Sequence, residues 1–392
     1  MKIGRGKKMN PLKILVLGAK LQGVEALYLA KKAGYYSMAV DCNRHAPGAR
    51  LADEFIEADV QNEAILFPLF LKADVVLPVI EDEQVLKQVV NYGKRSGTEI
   101  IFDLNAYQIS KSKEKSNALF LERHLPIPKD YPDCDYPVIL KPDDQSGSKN
   151  ILKAFNTKEV EQYLKKNKDK KTIVQQYLTG RSFSVEVIGN GETYYFPQIT
   201  EVVTDEAYDC KRIIAPAVIN DSEKAQIMEI AESLAVRLQI KGIFDIELIS
   251  DQGQLKLLEI DARLPSQTPI SIYHSTGMNM IEMLVKLRLG DQAEIQIKTA
   301  KAVCFYQQIE VSNGMIRVLG EHIMGECCKL KIIQGLFGCK EAITDYEEGS
   351  RNWKAIIIVT GKDHNEAKKQ FNQFIECMQV ETGIKNWCLV EG

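Results

Sequence analysis

Between Lys13 and Ala106 the sequence alternates short apolar runs with amphipathic stretches: ILVLG, QGVEALYLAKKAG, SMAVD, DVVLPVI, EQVLKQVVNYGKRSG and EIIFD. Short apolar runs bounded by turn residues read as buried strands, and the longer stretches between them as helices. Strands joined through helices run parallel. This part of the chain is therefore committed to a parallel sheet with helices packed on its faces.

Gly18 closes the first strand, Gly23 lies at the start of the first helix, and Asp41 ends the second strand, where a dinucleotide-binding fold keeps its ribose-binding acid. The unit looks Rossmann-like. Its GAKLQG turn lacks the middle glycine that lets a pyrophosphate approach the backbone, so a tight strand-to-helix turn is preferred over a nicotinamide site. A dehydrogenase built on this unit is the alternative from a different class, and a nucleotide-binding regulatory protein without turnover is a third.

The 392 residues exceed one ordinary core, and composition shifts divide them. Residues 1–108 form the first expected unit, ending before the lysine-rich SKSKEKS. Residues 109–178 form a second, with PVILKP, the polar loop DDQSGSKN and TIVQQYL. Residues 179–392 form a third, which carries a smaller α/β tail from about 296. The class is α/β. A formal net charge of −3, spread along the chain, gives no reason to expect nucleic acid or an anionic membrane as partner. No segment approaches the roughly 20 apolar residues of a membrane helix. Nine cysteines without CxxC or His/Cys metal spacing suggest reduced thiols in a cytoplasmic compartment. The basic start, MKIGRGKKMN, is not followed by a secretory apolar region, and Met9 is an alternative start.

The chemistry is concentrated in GIFDIELISDQGQLKLLEID. A turn at Asp251 to Gly253 folds two strands antiparallel and sets Glu247 opposite Glu259, while period two puts Glu259 and Asp261 on one face. Gathered carboxylates repel unless a cation neutralises them, and hard oxygen ligands suit Mg²⁺ together with nucleotide phosphates. The plainer reading is a solvated strand edge. Against it stand Lys141 at the end of PVIL, Lys113 before a helix, and Ser146, Gly147 and Ser148, whose loop can turn its amides toward phosphate oxygens.

In order and spacing these features resemble the ATP-grasp superfamily: Lys113 and LPIP, the Lys141 of VILKP, the small-residue loop, then TIVQQYLTG, then Glu247, Glu259, Asp261 and Arg263. The resemblance implies an ATP-grasp fold behind a preATP-grasp Rossmann-like domain. It also implies ATP bound through Lys113, Lys141, Ser146, Gly147, Ser148 and Gln175 with the backbone at Tyr177 and Leu178, and two Mg²⁺ ions held on Glu247, Glu259 and Asp261. Lys141 and Arg263 would then be catalytic. This sequence departs from the family at Ser182, where an acid usually holds the ribose, and at Asp261, where the family has Asn.

A narrower resemblance, carried by GAKLQGVEALYLAKKAG, DEAYDCKR and EIDARLPSQTP, is to the ligases of pyrrolysine biosynthesis. It implies joining (3R)-3-methyl-D-ornithine, through its carboxyl group, to the ε-amine of L-lysine by way of an acyl phosphate. A homodimer is a family expectation. Other amino-acid or dipeptide ligases and biotin-carboxylase-like enzymes are the alternatives within the superfamily. Substrate amines call for acids, so Glu81, Glu186 and Asp209 are candidates, with Arg263, Ser266 and Thr268 for carboxylate or amino groups; each has an ordinary surface or capping role as its plainer reading.

Overall fold

A computed structural model describes residues 11–143, 150–384 and 386–388. The alternation in the first hundred residues yields β1 (Lys13–Leu17), α1 (Leu21–Lys32), β2 (Tyr36–Asp41), β3 (Glu54–Glu57), α2 (Glu63–Phe70), β4 (Val75–Pro78), α3 (Glu83–Ser96) and β5 (Glu99–Ile100). The five strands form one parallel sheet in the order β3-β2-β1-β4-β5. The order reverses at β1, and a crevice opens beyond the carboxyl ends of strands at such a reversal. Gly18 sits at that end with φ +101°, and a Cβ there would lie 2.9 Å from the Val79 carbonyl oxygen. Asp41 accepts hydrogen bonds from the Ala19 N–H at 2.8 Å and the Asn43 N–H at 2.8 Å. Its carboxylate fixes the β1–α1 turn.

After α4 (Leu104–Ser110) and α5 (Lys113–Glu122), β6 (Val138–Pro142), β7 (Leu152–Ala154), α6 (Thr157–Lys166) and β8 (Thr172–Gln176) form a small antiparallel sheet in the order β7-β6-β8. Gly180 then brings the chain against the large sheet. A Cβ on it would fall 1.9 Å from the Ser250 carbonyl oxygen, and neighbouring Thr179 bonds Asp251 through both its N–H and its hydroxyl.

The remaining strands are β9 (Arg181–Asn190), β10 (Tyr194–Tyr195), β11 (Ile199–Thr204), β12 (Cys210–Ala215), β13 (Lys241–Asp251), β14 (Gln254–Asp261), β15 (Val303–Ser312), β16 (Met315–Val318), β17 (Lys331–Gln334), β18 (Glu341–Thr344), β19 (Trp353–Gly361) and β20 (Asn386–Cys388). The helices among and after them are α7 (Asp221–Leu238), α8 (Thr268–Thr276), α9 (Met280–Leu289) and α10 (His364–Thr382). The large sheet runs β14-β13-β9-β11-β12-β15-β19-β18-β17. The strands of the tail after about 296 thus continue the central sheet, because β15 pairs with β12.

α7 begins in a capping box between Asn220 and Glu223 and lays Ile227, Ile230 and Leu234 against Phe244, Ile246 and Leu257. Each such fully buried side chain stabilises by about 1.5–3 kcal/mol. That packing stiffens β13 and β14 from behind. At their tip Gln252 and Gly253 both have positive φ, the two-residue turn whose twist matches an antiparallel pair.

Candidate active site

Backbone register brings the acids together. Glu247 lies opposite Glu259, and Asp245 opposite Asp261, across β13 and β14. Lys113, first residue of α5, reaches Glu259 with Nζ 3.0 Å from Oε2. Arg263 lies 3.0 Å from Glu81 through Nε and 3.1 Å from Asp261 through its guanidinium nitrogen. Glu81 follows β4, so Arg263 joins the first sheet to the large one. These groups, Lys113 excepted, open onto one cavity of about 690 Å³ between the carboxyl ends of the first sheet and β13–β14.

The charges are not balanced. Burial would raise the Glu259 carboxyl, but Lys113 and Lys141 outweigh it and hold it below the ordinary range. Asp261 is pushed up to about 6 by burial and by Glu259, against the pull of Arg263. Glu247 opens to the cavity, yet enclosure and the Glu259 and Asp261 charges raise it to about 8. Asp245 is raised well above its ordinary value by burial and its acidic neighbours, and its Oδ1 is buried without a partner. Burial lowers Lys141, on β6 of the small sheet, although Glu259 works the other way. Carboxylates held up by one another, with lysine charges beside Glu259, are the donor set that a hard divalent cation and phosphates would satisfy.

The other sequence candidates divide. Gln175 is buried, but its Nε2 donates to Asp130 Oδ1 at 3.3 Å. The Tyr177 N–H donates to Pro137 O, Lys153 Nζ stands 3.8 Å from the Tyr177 ring centroid, and Leu178 is buried beside it. Ser146, Gly147 and Ser148 lie outside the described residues. Glu186 on β9 is buried next to Asp245, with Oε2 unpartnered. Burial raises it to about 7, and the Thr268 hydroxyl lies near enough to oppose that rise without making a full hydrogen bond. Asp209 is in the cavity wall and takes the His322 N–H and ring nitrogen at 3.0 and 2.5 Å. Ser266 Oγ and Gln267 Nε2 each donate to Glu321 Oε2 at 2.7 Å.

Sequence reasoning passed over Asp245, Glu321 and His322. Asp245 had a signal: it stands two residues before Glu247 and so shares its face. Glu321 and His322 come from a 3₁₀ turn, Glu321–Glu326, some fifty residues after the loop they meet, and no local pattern announces that contact.

A model of the ATP-grasp domain matches residues 111–267. The 3-methyl-D-ornithine--L-lysine ligase of Methanosarcina mazei is 31% identical over 372 residues, 94% of this chain and 96% of the relative. The enzyme of that name from Methanosarcina barkeri is 34% identical over 313 residues, 79% and 83% of the two chains. Among solved structures, the ADP complex of an N5-carboxyaminoimidazole ribonucleotide synthetase matches with a TM-score of 0.71 at 15% identity, covering 95% of this chain and 98% of its own. An L-amino acid ligase from Bacillus licheniformis matches at 0.68 and 14%, covering 94% and 98%. The solved structures share the ATP-grasp fold, and identity above 30% over nearly the whole length reaches further: the chain belongs to the 3-methyl-D-ornithine--L-lysine ligase family of ATP-grasp enzymes.

Proposed function

We propose that this chain is an ATP-dependent ligase that joins the carboxyl group of (3R)-3-methyl-D-ornithine to the ε-amine of L-lysine. The observation that carries the reading is the facing of Glu247, Glu259 and Asp261 by Lys113 and Arg263, at a cavity whose far wall is the Ser266–Thr268 turn. It rests also on membership of a family whose Methanosarcina members bear that name.

In this reading the substrate carboxylate attacks the γ-phosphate of ATP, releasing ADP, and the lysine amine then attacks the acyl carbon and expels phosphate. Positioning and charge neutralisation supply most of the rate. Glu247, Glu259 and Asp261 would hold Mg²⁺, two ions in the fullest form of the proposal, which would offset charge on the phosphoryl group. Lys113 and Lys141 approach that charge from α5 and the small sheet. Arg263, already held in a two-pronged arrangement, suits the acyl phosphate oxygens. Asp245, with buried Glu186 beside it, and the cavity-lining Asp209 and Glu81 would offer carboxyls to substrate ammonium groups. The same reading takes 1–108, 109–178 and 179–392 as the working units, and a homodimer in the cytoplasm as their setting.

The test is incubation with ATP, Mg²⁺, L-lysine and 3-methyl-D-ornithine, measuring ADP and the mass of the condensed product. ADP without that mass would reject the substrates; hydride transfer without ATP use would reject the class. Lys141→Met is expected to lower kcat about 100-fold, the cost typical of losing one donor to transition-state charge. Thermal stability should be kept or improved, since burial already disfavours the ammonium. Steady-state ADP release and melting curves check both, and wild-type turnover in Lys141→Met would remove this residue from the site.

A further inference from the structure

The Pro265–Thr268 turn at the cavity carries backbone strain. Gln267 has φ +75° and ψ −48°, and the Thr268 N–H donates to Ser266 O at 2.9 Å across it. This is the γ-turn with positive φ, the rare and costly form, and a non-glycine residue keeps it only where surroundings impose it. Gln267 is also the residue before α8, yet its side chain does not cap the helix, because Nε2 is turned to Glu321.

The cap comes from elsewhere. Glu25, in the middle of α1 and fully buried, accepts the Ile270 N–H at 3.0 Å on Oε2 and the Tyr306 hydroxyl at 2.9 Å on Oε1. The donors of the first turn of α8 are then accounted for: Thr268 is used in the γ-turn, Pro269 has none, and Ile270 goes to Glu25. Four residues before Glu25, on the same helix face, Leu21 lines the cavity. One carboxylate therefore ties α1, which lines the cavity, to the start of α8, and the Tyr306 hydroxyl of β15 holds its other oxygen.

We propose that Glu25 is a positioning residue of the substrate pocket, capping α8 in trans so that Gln267 keeps its left-handed turn and Ser266, Gln267 and Thr268 stay presented to the cavity. The kinetic readout rests on the ligase reading above; amide exchange does not.

In the full-length protein, Glu25→Leu, which removes both acceptor oxygens, should raise amide hydrogen exchange at Thr268 and Ile270 at least tenfold. It should raise KM for one of the two amino-acid substrates tenfold or more, with KM for ATP within twofold of wild type. Glycine accepts positive φ freely, so in a Gln267→Gly background Glu25→Leu should raise that KM less than threefold further. A folded Glu25→Leu protein with wild-type exchange and KM overturns the proposal, as does an equal KM penalty in both backgrounds or a parallel rise in KM for ATP. If Glu25→Leu does not fold, Tyr306→Phe keeps the carboxylate and removes one donor. It should shift exchange and KM in the same direction by a smaller factor, and no shift in it overturns the proposal. Faster exchange in Glu25→Leu from a wild type that forms no condensed product would support the positioning role while rejecting the ligase reading.

Discussion

Arg263→Ala is expected to lower kcat for product formation about 1000-fold, the upper range for removing a donor that stabilises transition-state charge. Two things are lost together. The first is the only guanidinium among the described residues that line the cavity. The second is the cation between Glu81 and Asp261, whose carboxylates lie 3.0 and 3.1 Å from it. Burial works against the Arg263 charge, but Asp261, Glu81 and Asp245 raise its pKa above the ordinary value, so it stays ionised at any working pH. Arg263→Lys should recover little, because a compact ammonium cannot span Glu81 and Asp261 in the same fork geometry. Single-turnover measurement with labelled ATP separates the possibilities: phosphoryl transfer should fall with product formation. Arg263→Lys at more than a tenth of wild-type rate would show that charge alone suffices and would sink the bidentate role.

Much of this site was readable from residue order because strands impose period two. The positions of Glu259 and Asp261 on one face, and of Glu247 across a Gln252–Gly253 turn, follow from alternation and turn chemistry alone, and the register has them so. The parallel first sheet was legible for the same reason, since buried runs such as ILVL have no other comfortable setting. What was not legible is contact across the fold. Glu321 meets Ser266 and Gln267 over more than fifty positions of sequence, and Glu25 meets Ile270 over 245. Gln175 shows the converse: its place in a short strand was readable, but its engagement by Asp130 was not.

Glu247→Gln is expected to stabilise the metal-free protein while removing activity. Enclosure in the cleft, followed by the charges of Glu259 and Asp261, raises the Glu247 carboxyl from 4.5 to about 8. A carboxyl raised on folding contributes stability that is complete below its unfolded value and is lost as pH rises through its folded one. The wild-type protein in EDTA should therefore lose stability between about pH 4.5 and 8 through this group, and Glu247→Gln should flatten that loss. Because the side chain opens to the cavity and water screens it, the gain at pH 8.5 is about 1 kcal/mol rather than the full value of the shift. Saturating Mg²⁺ with ADP should reverse the order: a ligand at 100 times its Kd stabilises the folded state by about 2.7 kcal/mol, and Glu247→Gln should receive much less of it. Melting curves of both proteins with EDTA and with Mg²⁺ and ADP decide the matter. Wild-type activity in Glu247→Gln, or a variant less stable than wild type in EDTA at pH 8.5, would show that the Glu247 charge is neutralised by the protein itself. Glu259→Gln should behave in the opposite way without metal, since its carboxylate is already held ionised by Lys113 and Lys141 and its loss leaves Lys113 without that partner. Two carboxylates facing each other on adjacent strands would then differ in the sign of their effect on the metal-free fold and agree in abolishing turnover, as a site balanced for an incoming cation requires.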